Sequence, residues 1–356
     1  MATPPGLDRL RTSLERLTSR RDPMPAPQVL IRTPDWEFEH GELTQRFYAA
    51  SVSKVLTATL VTVLIEQGRL TFDTPVGAVL PLADIDGLPA APGVDIAADV
   101  TVEHLLTHTS GLPDYFVTSR RHAAASSARR FTADLDRRWT LPEILASTRG
   151  LPPVAHPGER FRYSDTGYTL LGRIVEEITG SRFEQALREH VFDACAMNDT
   201  STPHGDATMP EDLTDLEIAP IWISGQELSR SLCLSVGRAD GGIVTTPADL
   251  VRFQEALHAG RLIAIEHLDH LRRPRNRLRP GIHYGAGLAT IRFGGFMPPF
   301  LRGLPEPAGG IGASATHMFF YPQQRAHVVL NFHSTSAMSQ SFRTHITIAR
   351  LIAAPQ

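Results

Sequence analysis

The sequence is almost without lysine. Of its 35 basic residues, 34 are arginine and only Lys54 is not. An arginine-biased genome accounts for the scarcity, but not for where the survivor stands. Guanidinium holds its proton throughout the biological range, so arginine serves where charge is needed and fails where a base must shed a proton. Lys54 is therefore the first place to look for chemistry. Cysteine is nearly as rare. Cys195 and Cys233 have no metal-ligand spacing and make no disulfide framework, so free buried thiols are expected. No run of about 18 apolar residues exists to cross a membrane. Residues 1–20 carry no apolar stretch of a secretory signal, which leads to the expectation of a soluble, cytoplasmic protein. A formal charge of −3 argues for no nucleic-acid partner. What is present is a chain of 356 residues, 42% hydrophobic and 21% charged, the composition of a globular enzyme of about two domains.

Periodicity supplies a coarse map. Leu7, Leu10, Leu14 and Leu17 predict an amphipathic helix over 5–20. Short strands are expected at Val29–Arg32 and Trp36–His40. A strong helix is predicted from Ser51 to about Gln67, ended by Gly68. Residues 71–100 read mostly as loop. Helical patterns recur at Val102–Leu106, Leu141–Thr148, Thr166–Thr179, Phe183–Val191 and Ala248–Ala259. Tyr284–Phe293, His317–Tyr321 and His327–Phe332 have the β-branched and aromatic character of strands, and Ser341–Ile352 reads as a last helix. Strands at both ends with helices between predict an α/β fold of the α+β type. An antiparallel sheet flanked by helices is built from 1–70 plus 275–356. A mostly helical domain, 71–274, is inserted, with the active site at their interface.

Ser51-Val52-Ser53-Lys54 opens the predicted helix. Residues three apart share a helix face, so the hydroxyl and the amine can meet. Serine needs a neighbouring base to become a nucleophile. The helix N-terminus also favours a developing negative charge. The bland alternative is a capping serine beside a surface lysine, and the four-residue pattern alone does not decide.

The surroundings do more. The segment 47–58 around Ser51 and Lys54 resembles the nucleophile segment of the class C β-lactamase and penicillin-binding-protein-like serine hydrolases, a family that includes certain esterases. Leu105–Pro113, Pro157–Tyr168 and Gly241–Leu250 resemble further stretches of that family, in its order. The resemblance implies the β-lactamase/transpeptidase-like fold, a small-molecule acyl substrate, an acyl-enzyme on Ser51 and no cofactor or metal. The family's Tyr-x-Asn motif is matched by Tyr163-Ser164-Asp165, which makes Tyr163 the partner of Lys54 in proton transfer. Asp165 stands in place of asparagine, and its charge is expected to hold Lys54 protonated and shift the base role to Tyr163. The third motif, Lys-Thr-Gly or His-x-Gly in the family, falls on Gly310, Ile311 and Gly312, so no cation is present at Gly310. Ala313, with Ser51, is expected to supply the N–H groups of an oxyanion hole.

Loss of that cation puts β-lactam and D-alanyl peptide turnover in doubt and leaves esters, other amides or acyl transfer. The leading expectation is a serine acyl hydrolase acting on a small ester or amide. The alternatives are an acyltransferase or amide-processing enzyme of secondary metabolism, weak β-lactamase or D-peptidase activity, or a binding protein that kept the fold. Other signals are weaker. Gly310–Ala315 fits a loose GxGxxA, but strand-like residues follow it where a dinucleotide site needs a helix. His104 and His108, or His267 and His270, lack a third metal ligand. Arg272, Arg273, Arg275, Arg277 and Arg279 read as a solvated loop or an oligomer contact, with a replacement for the cation missing at Gly310 as the sharper alternative. The loop 113–138 and the segment 196–230, with Pro220 and Trp222, are expected to shape the pocket.

Overall fold

The structure is a computed structural model that describes residues 4, 6–19, 24–116, 128–205, 217–295 and 301–354. Its frame is an antiparallel sheet of eight strands: β1 (Gln28–Arg32), β2 (Glu37–His40), β3 (Asn276–Arg279), β4 (Ile282–Tyr284), β5 (Ala289–Ile291), β6 (Ala308–Gly312), β7 (Thr316–Tyr321) and β8 (Ala326–Asn331). Their spatial order is β2-β1-β8-β7-β6-β5-β4-β3. The two ends of the chain thus meet in mid-sheet, where Leu30 of β1 lies opposite Val329 of β8. The main helices are α1 (Leu7–Thr18), α2 (Ser53–Glu66), α3 (Asp165–Thr179), α4 (Pro247–His258), α5 (Ile265–Arg272) and α6 (Met338–Ala353).

Side chains alternate across a strand, and here both faces are covered. Val29, Ile31, Phe319, Val328 and Leu330 pack with Leu7, Leu10 and Leu14 of α1 and Ile348 of α6. Leu30, Met318 and Val329 point the other way, into a larger core shared with α2, α3 and α4. Burial on both faces is why these strands read as unbroken apolar runs. α4 lies against β1 and β8. α2 is buried almost all round, as a helix with apolar residues on every side must be. It packs between α3 and β6.

Several expectations are corrected in detail. The stretch expected as one strand, Tyr284–Phe293, is divided between β4 and β5, because Gly285 and Gly287 turn the chain. A Cβ at Gly285 would stand 2.2 Å from the Leu271 carbonyl oxygen, and Gly287 has φ +118°. Residues 71–100 include short helices at Leu82–Ile85 and Ile96–Asp99. The helix expected to reach Val191 passes into a wider π-turn at Arg188–Phe192. No helix among the described residues is long and apolar enough to cross a membrane, and Cys195 and Cys233 are both buried and free.

Candidate active site

Ser51 precedes the α-helix proper. It sits in a 3-10 turn, Ala50–Val52, that feeds α2 at Ser53. The turn is forced by Ala50, whose φ of +48° puts a non-glycine residue in the left-handed region. Such a conformation persists only where its surroundings hold it. Here the Ala49 carbonyl accepts the Val52 N–H at 3.2 Å, and the Ala49 N–H is held by the Ile243 carbonyl at 2.9 Å.

Lys54 follows one helical turn later and is 1% exposed. Its Nζ reaches three oxygens: Asp165 Oδ1 at 2.6 Å, the Asp240 backbone carbonyl at 2.7 Å and Ser51 Oγ at 3.3 Å. An ammonium has three N–H donors, so each has an acceptor. Burial opposes the charge, but Asp165, Tyr163 and Asp240 outweigh it and raise the Lys54 pKa well above the ordinary lysine value. Tyr163 lies beside this group, hydrogen-bonded with Ser51 and Lys54. Burial pushes its phenol up to about 12, with Lys54 pulling down and Asp165 pushing up. The Lys54 ammonium also stands 5.1 Å from the Tyr163 ring centroid.

The second motif is held from behind. Ser164 and Asp165 form the N-terminus of α3, where the Ser164 N–H donates to His108 Nδ1 at 3.2 Å and the Asp165 N–H to Asp114 Oδ1 at 3.1 Å. His108 is buried against Tyr163, its ring centroid 4.3 Å away. Burial, then the charge of Lys54, lowers its pKa well below the usual histidine value, so it stays neutral and able to accept. Two participants were not singled out from the sequence. Asp240 presents its carbonyl to Lys54, while its carboxylate accepts the Tyr115 hydroxyl at 2.7 Å. Burial and repulsion from Asp165 raise the Asp240 carboxyl to about 6. The available signal was position: Asp240 immediately precedes Gly241-Gly242, and Tyr115 follows the Leu112-Pro113 turn.

β6 forms the opposite wall. A Cβ at Gly310 would meet Val55 Cγ2 at 2.8 Å and Val52 Cα at 3.4 Å. The strand lies so close to α2 that a side chain is shut out, which explains glycine where the resemblance expects a cation. Gly312 is pressed in the same way, its Cβ position 2.6 Å from the Ala49 carbonyl oxygen. Ser51, Tyr163, Asp165, Gly310, Ile311, Gly312 and Ala313 all border one cavity of about 550 Å³. A smaller lobe of about 90 Å³ meets it at Ser51 and Ala313 and is walled by Tyr48, Ile221, Ile223 and Leu234.

The loop expectations are met in part. Asp114 and Phe116 line the larger cavity, and Ile221 and Ile223 the smaller. Trp222, between those isoleucines, pairs instead with Glu227. Residues 117–127 and 206–216 of the expected loops lie outside the described residues. The arginine stretch, expected as a solvated loop or an oligomer contact, is mostly exposed but is not all loop. Pro274 and Pro280 bracket a strand, β3, and Arg277 and Arg279 on it line the cavity. Arg275 is turned away into an ion pair with Glu103. The histidine pairs go elsewhere: His104 caps a helix through Thr101, His267 meets Glu66 and His270 meets Glu103. Among the described residues no group of three or more potential ligands could hold a metal ion. Gly310–Ala315 is a strand and turn leading into β7, not the start of a helix.

This fold and site define a β-lactamase-type architecture. The chain belongs to the Beta-lactamase family, whose pattern covers residues 42–353. It is 33% identical over 221 residues to penicillin-binding protein 4 of Amycolatopsis lactamdurans, covering 58% of this chain and 49% of that protein. The chain spans about half the length of the first curated relatives it matches. Among solved structures it is similar to a D-stereospecific amidohydrolase from Streptomyces sp., with a TM-score of 0.76 and 23% identity over 99% of this chain and 100% of that one. It is also similar to EstCE1, described as a hydrolase with promiscuous acyltransferase activity, with a TM-score of 0.75 and 18% identity over 98% and 99% of the two chains.

Proposed function

We propose that the protein is a serine acyl hydrolase acting on a small ester or amide through an acyl-enzyme on Ser51. Ser51 Oγ attacks the carbonyl carbon, and the carbonyl oxygen takes the charge beside the N–H groups of Ser51 and Ala313. Tyr163, as phenolate, takes the serine proton and passes it to the leaving group. Lys54 is the fixed ammonium whose charge offsets part of what burial and Asp165 cost the phenolate, while Asp165, the Asp240 carbonyl and Ser51 Oγ accept its three N–H groups. Water then attacks the acyl carbon, and the same groups return the proton to Ser51. No step calls for a cofactor. The two buried, unpaired thiols are compatible with a cytoplasmic setting.

The observation that carries this reading is the contact of a fully buried ammonium with the Ser51 hydroxyl, 3.3 Å apart, on the wall of an open cavity. A surface lysine beside a capping serine has neither the burial nor the acceptors. The test is hydrolysis of p-nitrophenyl butyrate. Ser51→Ala is expected to lower kcat/KM by at least ~10³-fold. A variant as fast as the parent would sink the idea.

The junction of two lobes at Ser51 favours one further reading, acyl transfer, because an acceptor could enter one lobe while the acyl group occupies the other. Slow release of p-nitrophenol, accelerated by an added alcohol or amine that appears in the product, would establish it. An unchanged rate and product would dismiss it.

A further inference from the structure

The cavity wall facing the proposed catalytic cluster carries positive charge that no ion pair among the described residues balances. Arg162, Arg277 and Arg279 all line it, and none of the three has an ion-pair partner among the described residues. They differ in this from neighbouring arginines. Arg275 is paired with Glu103, Arg272 with Asp269 and Arg292 with Glu306. The two carboxylates on the same cavity are already engaged. Asp165 is held by Lys54, and Asp114 accepts the Phe116 and Asp165 N–H groups.

The backbone aims this charge. β3 is an edge strand, and its pairing with β4 slips between Arg277 and Arg279. A bulge of this kind twists the strand and redirects its side chains. Consecutive residues would otherwise point to opposite faces, yet Arg277, Leu278 and Arg279 all border the cavity. Leu278 packs against the buried cluster of Ile282, Tyr284 and Ala289, which Phe161, Tyr163 and Ile311 also cover, and this pins the strand between the two arginines to the wall of the site. Charged residues on an edge strand also discourage sheet-to-sheet association, but that purpose needs no bulge turned toward the cavity.

We infer that Arg277 and Arg279 form an anion-binding subsite, and that the preferred substrates are esters or amides bearing a carboxylate or similar anion away from the scissile carbonyl. The subsite supplies from β3 the cation that β6 cannot carry, since Gly310 is pressed against α2. Two guanidiniums can grip a carboxylate bidentately, in a cleft that concentrates their field. This rests on the acyl-hydrolase reading.

The experiment compares glutaric acid mono-4-nitrophenyl ester with its methyl-capped, neutral analogue, and 4-carboxyphenyl butyrate with phenyl butyrate. The two pairs place the anion on the acyl side and on the leaving-group side. The parent is expected to favour the anionic member of one pair, and the preference is expected to shrink as salt rises. In the double variant Arg277→Ala, Arg279→Ala, KM for that anionic ester is expected to rise roughly fivefold to tenfold, the scale of one or two exposed charge pairs. KM for the neutral partner and kcat for both should hold. Both positions are exposed, and an unchanged melting temperature would verify folding. Arg277→Glu, Arg279→Glu should reverse the preference. If the neutral esters are hydrolysed through Ser51 but neither anionic ester is favoured, or the double variant leaves the ratio unchanged, the subsite is overturned and the hydrolase stands. If no ester is turned over, the hydrolase reading fails and the subsite with it.

Discussion

Two buried polar clusters lie on opposite faces of the same sheet, and only one fits the proposed chemistry. On the α6 face, His317 and Tyr321 of β7 meet Ser341 and His345, with contacts of 2.9–3.0 Å. All four residues are fully buried, and burial pushes His317 down to about 3, so this cluster is neutral. On the α2 face, Lys54, Asp165 and Asp240 are almost as buried and Tyr163 is partly so, yet the cluster carries charge, borders a 550 Å³ cavity and is reached through the left-handed Ala50. Burial and perturbed pKa values therefore do not mark an active site by themselves. Charge kept at the cost of desolvation, beside strained backbone and open space, does.

The comparison can be broken most forcefully at Lys54. Lys54→Met keeps the shape of the side chain and removes its charge. Esterase activity is expected to fall ~10²- to 10⁴-fold, the usual worth of a positioned proton-transfer partner. Stability is expected to fall by about 3–5 kcal/mol, because Asp165 is left buried without its cation. Steady-state kinetics and urea unfolding check both. On the other face, His345→Phe is expected to lower stability by about 1–3 kcal/mol by leaving His317 and Tyr321 without partners, and to leave kcat/KM within about twofold. A large loss of activity there would erase the distinction.

The smallest effects are in pH, and the two clusters should respond with opposite signs. His317 has a folded pKa of about 3 against an ordinary 6.5. As pH falls through that window the unfolded chain takes a proton that the folded chain refuses, so stability drops on acidification. Asp240 has a folded pKa of about 6 against an ordinary 3.8. Between those values the folded chain binds the extra proton, so this residue's contribution declines as pH rises. Melting temperature followed from pH 4 to 7 should therefore climb more steeply in Asp240→Asn than in the parent, and less steeply in His317→Phe. Parallel curves would show that neither group titrates as described.

Much of this was legible in the sequence, for reasons that also mark the limit. The lone lysine, the serine three residues before it and the Tyr163-Ser164-Asp165 stretch are local patterns, and α2, α3, β7 and β8 follow from periodicity. The strand pairing of β1 with β8 joins residues some 300 positions apart and showed only as strand signals at both termini. Asp240 was missed because what it gives Lys54 is a backbone carbonyl, and any residue type has one. At the arginine stretch a loop was among the expectations, and two prolines, Pro274 and Pro280, delimit an edge strand there instead. Gly310 was noticed as a missing cation, but its reason, the close approach of β6 to Val52 and Val55, exists only in three dimensions.

The central claim is that Ser51 becomes covalently acylated. Intact-mass spectrometry of the protein mixed with p-nitrophenyl butyrate and quenched in acid within the first turnovers tests it most directly. The account predicts a single added butyryl group that maps to the peptide containing Ser51 and is absent from Ser51→Ala. Hydrolysis without any adduct, or an adduct of the same stoichiometry in Ser51→Ala, would contradict it.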